Sequence, residues 1–240
     1  MKILVTGTSR GIGKSIAQKL LNEGHEVIGT SRSTNHAFPN NENYKHIACD
    51  LSKQEEVEKL KAVFEEDEIP EVLINNAGMF AEADFDISDK EWLANWDLTL
   101  QVNLRSAALI SKWALNAWKK AGKDGRLINI SSRAGTRGDT QEYASYAASK
   151  GGMTALTKSI ARSFGKYGIT AYTIAPGFVN TDMAQGSIEV YGKDYLTKDL
   201  ALDSIAPPEQ IAEISFLLAT GKLIHATGQT FHVNSGSYLT

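Results

Sequence analysis

The chain has 240 residues, of which 42% are hydrophobic and 22% charged; 25 basic against 28 acidic side chains leave a net charge of −3. That balance excludes wholesale disorder and argues against a dedicated nucleic-acid binder, which carries a basic excess. Its single cysteine, Cys49, excludes an internal disulfide framework and a multi-cysteine zinc site, and no apolar run reaches the roughly 18 residues of a membrane span.

In chain order, short apolar runs alternate with longer amphipathic ones. Ile3-Leu4-Val5 reads as a buried strand, too short an aliphatic run for a signal-peptide core, which points to the cytoplasm. A glycine-bearing turn follows, then a helix over Lys14 to Leu21 with Gly24 placed to end it. Val27-Ile28 and His46 to Cys49 read as the next strands. Ser52 is expected to cap a helix, with Glu55 as its capping-box partner and Val57, Leu60, Val63 and Phe64 as the apolar stripe. Val72 to Ile74 gives a fourth strand, and a long helix is expected over about Asp97 to Lys120. Leu127 to Ile130 is a fifth strand, Tyr146 to Phe164 a second long helix and Thr170 to Ile174 a sixth strand. A helix opens at Pro207-Pro208-Glu209 and runs to about Ala219, and Thr230 to Val233 closes the series. The alternation predicts an α/β chain, one doubly wound Rossmann-type parallel sheet with helices on both faces, as a single domain over 1–240.

The first strand runs straight into Gly7-Thr8-Ser9-Arg10-Gly11-Ile12-Gly13. Glycines there allow a tight turn and close approach of the backbone to a pyrophosphate, which the following helix N-terminus attracts. An NAD site usually carries Asp or Glu at the end of the second strand. Here the segment reads Gly29-Thr30-Ser31-Arg32-Ser33, and Arg32 with Arg10 suits the 2′-phosphate of NADP(H). The alternative is an Arg32 that merely faces solvent.

Tyr146 and Lys150 are spaced i, i+4, on one helix face. A phenol has an ordinary pKa near 10, and a neighbouring ammonium lowers it toward the range of acid–base catalysis. Tyr143 is a competing phenol, but Ala147 stands four residues on. Ser131 and Ser132 end the fifth strand and Asn75-Asn76-Ala77-Gly78 the fourth, where ligands bind in open α/β sheets. The five histidines show no metal-ligand spacing, and no metal is expected.

Together these motifs resemble the short-chain dehydrogenase/reductase family over essentially the whole chain. The resemblance rests on the glycine loop, Asp50-Leu51, Asn75 to Gly78, Asn103, Ser132, Tyr146, Lys150 and Pro176-Gly177-Phe178-Val179-Asn180-Thr181. It implies that Tyr146 acts as general acid in carbonyl reduction and as base in alcohol oxidation. Lys150 would lower the tyrosine pKa and hold the nicotinamide ribose, Ser132 would bind the substrate oxygen, and Asn103 would hold a water in a proton relay. Ser132 is preferred to Ser131 because Arg133-Ala134-Gly135 follows it. Asp50 and Leu51 would lie by the adenine, with Asn76, Ala77, Gly78, Pro176, Gly177, Val179 and Thr181 along the cofactor.

The overall similarity leans to 3-oxoacyl-thioester reductases; a sugar, polyol or other secondary-alcohol dehydrogenase is the alternative, and a non-catalytic NADP sensor a remote one. Lys119, Lys120, Lys123 and Lys166 are candidates for docking an acidic acyl carrier protein, or else a solvated helix end. Arg133 and Arg137 hint at an anionic substrate group. The segment 182–203 is the expected substrate loop. Ser132 to Tyr146 runs one residue longer than usual, with the insertion near Asp139-Thr140. Trp92 and Trp96 are expected in the core. The small residues Ala147, Ala148, Gly151 and Gly152 are expected to permit the close helix approach of a homotetramer.

Overall fold

The computed structural model describes residues 1–65, 68–182 and 197–239. Its apolar runs form seven strands: β1 (Lys2–Thr6), β2 (Glu26–Ser31), β3 (Tyr44–Ala48), β4 (Val72–Asn75), β5 (Gly125–Ile130), β6 (Ile169–Pro176) and β7 (Thr230–Val233). They make one sheet in the order β3-β2-β1-β4-β5-β6-β7, and every pairing is parallel. The direction of winding reverses between β1 and β4, so their carboxyl ends open a crevice at the switch point.

Strand parity divides the core. Ile3, Val5, Val72 and Ile74 face one side, against Ile16 and Leu20 of α1 (Gly11–Asn22) and Ile211 and Leu218 of the last helix, Pro208–Ala219. Leu4, Leu73 and Leu127 face the other, against Ile110, Ala114 and Trp118. Alternate residues of an extended chain point to opposite faces, so a continuous aliphatic run serves two helical layers at once.

Gly24, at φ +76°, follows α1 as expected. Ser52 does not cap the next helix, however. Its hydroxyl and its N–H both bind Asp50 Oδ1, at 2.8 and 3.0 Å, and α2 (Gln54–Val57) begins at the extended Lys53 and passes into a 3₁₀ turn over Glu58–Phe64.

The capping pair lies elsewhere. Ser88 Oγ accepts from Glu91 N–H at 3.3 Å and donates to the Glu91 carboxylate at 2.7 Å. The long helix therefore starts eight residues earlier than expected, as α3 (Asp89–Leu100). It passes through a π turn at Gln101–Arg105 into α4 (Ser106–Ala121).

After β5 come the short α5 (Ala134–Arg137) and then α6 (Ala144–Phe164). The helix Pro208–Ala219 is α7. Among the described residues no helix is long and apolar enough to cross a membrane.

Trp118 is fully buried and donates through Nε1 to Pro70 C=O at 2.6 Å. Trp92 and Trp96 pack on each other at 4.9 Å between ring centroids but belong to neither core layer, contrary to expectation. Two of the small residues on α6 are also committed within the chain. A Cβ at Gly151 would lie 3.1 Å from Gly135 O, and one at Gly152 would lie 2.8 Å from Leu104 Cδ2.

Candidate active site

Where β1 ends, backbone geometry builds a cradle. Gly7 takes φ +76° and Gly11 φ +55°. A Cβ on Gly13 would stand 2.0 Å from Gly7 O and 2.3 Å from Asn76 Nδ2. Asn76 ties the two strand ends together: its Nδ2 donates to Thr6 O (2.9 Å) and Gly7 O (3.1 Å), while Thr6 Oγ1 accepts from the N–H groups of Asn76 and Ala77. No side chain caps α1, whose N-cap is the extended Arg10, so its first N–H groups point into the crevice.

The resulting cleft has a volume of about 720 Å³, within the range of cofactor sites. Ser9, Arg10, Ile12, Arg32, Asp50 and Leu51 line it, together with the three loop glycines and Asn76, Ala77, Gly78, Tyr146, Lys150 and Thr181. Asp50 is fixed by Ser52. Burial works to raise its pKa, but the Ser52 hydrogen bonds and the Lys53 and Arg32 charges hold it below the ordinary value. At the end of β2 the wall presents Ser31 and Arg32 and no carboxylate. An uncapped helix start, a backbone cradle and two guanidinium groups suit a dinucleotide bearing a 2′-phosphate. Arg10 meanwhile donates to Asp182 at 3.4 Å, an exposed pair.

Five expected positions do not line this cleft: Asn103, Ser132, Pro176, Gly177 and Val179. Val179 is buried and bridges to Ala206. Gly177 donates to Val233 O at 2.9 Å, and Pro176 O accepts from Arg133 N–H. Asn103 lies beneath the cleft floor in the π turn. It accepts from Met79 N–H at 2.8 Å and donates to Met79 O and Ser149 Oγ.

The two serines after β5 separate cleanly. Ser131 Oγ donates to Lys150 O at 2.8 Å and is spent on holding α6. Ser132, whose Oγ accepts from Ala134 N–H, places its hydroxyl close enough to the Tyr146 phenol to draw that group's pKa down. The two phenols separate as well: Tyr143 Oη donates to the Glu82 carboxylate at 2.5 Å.

Lys150 is buried, with Nζ donating to Ile130 O at 2.9 Å and lying 5.8 Å from the Tyr146 ring centroid. Burial pulls its pKa from 10.5 down to about 8. Tyr146 does not show the expected lowering. Burial pushes its phenol above 10, the Ser132 hydroxyl opposes that, and the Asp139 carboxylate adds to it. The phenol therefore rests protonated, the form a general acid needs. Asp139 sits in the lengthened Ser132–Tyr146 segment, which thus brings a carboxylate toward the tyrosine.

Sequence reasoning missed the wall beside Tyr146. Phe80 stacks on Tyr143 (centroids 3.9 Å apart, planes at 11°) and meets Tyr146 at 4.8 Å and 88°. The one available signal was position, since Phe80 follows the polar run that ends β4. Conversely, Arg133 lays its guanidinium over Phe178 at 4.5 Å and Arg137 faces Asp139 at 3.8 Å. Neither lines the cleft.

The lysines considered for carrier docking lie at the far rim. Lys119 and Lys166 flank Tyr167, after α4 and α6 have run away from the site. From Tyr146 to Lys166 is twenty residues, about 30 Å at 1.5 Å per residue. Of the expected substrate loop, Met183, Ile188, Val190, Tyr191, Tyr195 and Leu196 lie outside the described residues.

A family model for the short chain dehydrogenases matches residues 1–191. The chain is 36% identical over 241 residues to the 3-oxoacyl-acyl-carrier-protein reductase of Vibrio cholerae, covering 98% of this chain and 96% of that one. It superposes on a ligand-free aldohexose dehydrogenase of Thermoplasma acidophilum with a TM-score of 0.85 at 27% identity, covering 98% and 93% of the two chains. A single-residue variant of actinorhodin polyketide ketoreductase with NADPH superposes with a TM-score of 0.84 at 28% identity, covering 99% and 97%.

Proposed function

Because the chain belongs to the short chain dehydrogenase family, we propose that this oxidoreductase is an NADP(H)-dependent carbonyl reductase, with 3-oxoacyl thioesters as its substrates. One observation carries the reading. Tyr146, with the Ser132 hydroxyl beside its phenol and buried Lys150 one helical turn away, stands in the same cleft as the glycine cradle and two arginines. The acyl-thioester class is supported by the Vibrio cholerae relative, named for that reaction. Preference for the 2′-phosphate is supported by Arg10 and Arg32 and by the NADPH-bound ketoreductase.

Gly7, Gly11 and Gly13, with Ser9, Ile12, Asp50, Leu51, Asn76, Ala77 and Gly78 around them, would hold the dinucleotide, which when bound would supply the hydride for the carbonyl carbon. Ser132 Oγ and Tyr146 Oη bind the substrate oxygen and orient it. As that oxygen gains charge, Tyr146 transfers its proton, giving a secondary alcohol; Lys150, as a cation, stabilises the phenolate left behind. Asn103 fixes Met79 and Ser149 below the site and so holds the floor on which Lys150 rests. Thr181 lines the same cleft, while Pro176 and Gly177 pack on β7 and Val179 on Ala206 outside it.

We read residues 1–240 as one NADP-binding domain, and a cytoplasmic homotetramer belongs to the same reading; a monomeric mass by light scattering at micromolar concentration overturns the assembly. The test of function is NADPH consumption with acetoacetyl-CoA. The wild type turns over, and Tyr146→Phe loses about 10²–10⁴-fold, the scale of a general acid. Equal rates in both proteins sink the assignment of Tyr146. No turnover with NADPH still bound moves the substrate class to sugars and small secondary alcohols.

A further inference from the structure

We propose that Phe80 is a specificity-determining residue: its ring bounds the site beside Tyr146 and admits only a small substituent on that side of the reacting carbonyl. The inference rests on the reductase reading and adds a substrate constraint to it.

The contact is close and directional. Phe80 meets the Tyr146 ring at 4.8 Å and 88°, an edge-to-face contact that leaves no space for a substrate atom between the rings. Its other neighbour, Tyr143, lies flush at 3.9 Å, so the ring cannot swing back without breaking that stack. Phe80, Tyr143 and Tyr146 all line the cleft.

Several bonds stiffen the segment that carries Phe80. Tyr143 Oη donates to Glu82, Ala83 N–H donates to Glu142 O at 2.9 Å, and Gln141 Nε2 donates to Asp84 Oδ1 at 3.3 Å. From α3, Asn95 Nδ2 donates to Glu82 O at 2.9 Å. The 3₁₀ turn over Gln141–Tyr143 and helix α3 thus hold the wall from two sides, and it belongs to the fixed part of the site.

A carbonyl whose oxygen is bound by Tyr146 and Ser132 has two substituents to place. The one directed at Phe80 meets a fixed aromatic ring and must be a methyl or an unbranched methylene. The larger one must leave by the other side. Fixing which substituent goes where also fixes which face of the carbonyl is turned to the hydride donor, so the same ring governs the handedness of the alcohol.

The experiment compares two 3-oxo esters that differ only at the ketone: ethyl acetoacetate, with methyl, and ethyl benzoylacetate, with phenyl. The kcat/KM ratio of phenyl to methyl substrate is measured for wild type, Phe80→Leu and Phe80→Ala, together with product enantiomer ratios. The ratio is expected to rise at least tenfold in Phe80→Ala, with Phe80→Leu between, and the enantiomer ratio to erode in the same order. Phe80→Leu keeps an apolar side chain against Tyr143 and serves if the alanine variant does not fold. A ratio within twofold of wild type in a folded variant that reduces the methyl ester overturns the inference and leaves the reductase reading standing. Wild-type inertness toward both esters and acetoacetyl-CoA overturns the acyl reading, and this inference with it.

Discussion

The two sides of the cleft are specified in different currencies. On the β1–β3 side the phosphate cradle is main chain, with the Arg10 and Arg32 side chains at its rim: Gly7 and Gly11 at positive φ, Gly13 against Gly7 O, and an uncapped helix start. On the β4–β6 side the ligand surface is side chain: Tyr146, and Lys150 held on Ile130 O, backed by Ser132 and by Asn103 bracing Met79. Main-chain surfaces fail when an atom is added, whereas side-chain surfaces fail when an atom or a proton is removed. The first tolerates no bulk, and the second no change of chemistry.

The hardest test of the contrast is one carbon. Gly13→Ala places a Cβ 2.0 Å from Gly7 O. NADPH binding is expected to weaken at least about 100-fold, with a stability loss of about 1–3 kcal/mol from overpacking. Titration of cofactor fluorescence and a denaturant melt measure both. Unaltered binding would mean that the cradle does not approach the cofactor.

On the other side, a proton suffices. Lys150 titrates at about 8, and Tyr146 stays protonated to a higher pH. Carbonyl reduction needs both protonated, so its kcat/KM is expected to fall about tenfold per unit as pH rises above 8. Lys150→Arg should carry the charge to higher pH and move that limb upward. The same burial bears on folding. The folded pKa lies below the unfolded value of 10.5, so the unfolded chain binds the extra proton between pH 8 and 10.5. The burden is therefore complete below 8 and is relieved as pH rises through that window. Lys150→Met is expected to be inactive yet more stable at pH 7 by on the order of 3 kcal/mol, read from denaturant midpoints. A destabilised variant would show that the Ile130 contact outweighs the buried charge.

A smaller effect sharpens the first side. Arg32→Ala removes one charged partner of a 2′-phosphate and should weaken NADPH about tenfold while leaving NADH within twofold. Equal losses for both cofactors would assign Arg32 to general packing instead.

This contrast also explains what the sequence revealed. Glycine spacing after a strand and an i, i+4 tyrosine–lysine pair are local patterns, and both positions fall in the cleft. The sevenfold alternation likewise yields the parallel sheet. Ser52 was misread because Asp50, two residues back, captures its hydroxyl, a competition that the capping pattern does not show. Ser88 with Glu91 was the same pattern at the true helix start, overlooked because the apolar residues of its first turns, Trp92, Leu93, Ala94 and Trp96, do not form a buried stripe. Phe80 escaped because its role comes from two rings more than sixty residues away, in an ordinary-looking loop. Of the two readings of Lys119, Lys120, Lys123 and Lys166, polarity favours the solvated helix end over carrier docking. These lysines precede a parallel strand, so they lie at the rim where strands begin, while the site lies where strands end.

The π turn at Gln101–Arg105 has a consequence for how this helix tolerates insertions and deletions. It carries one more residue than a regular turn, and each residue turns the chain by about 100°. Removing one residue there would let Asp89–Ala121 run as an unbroken α-helix, but its two ends would no longer agree on which way is inward. Either Thr99 would rotate out of its buried position, or Ile110, Ala114 and Trp118 would leave the sheet. The extra residue therefore works as a phase shift between two counting frames. Chain length between Ser88 and Ala121 is fixed to the single residue, whatever side chains the exposed positions carry.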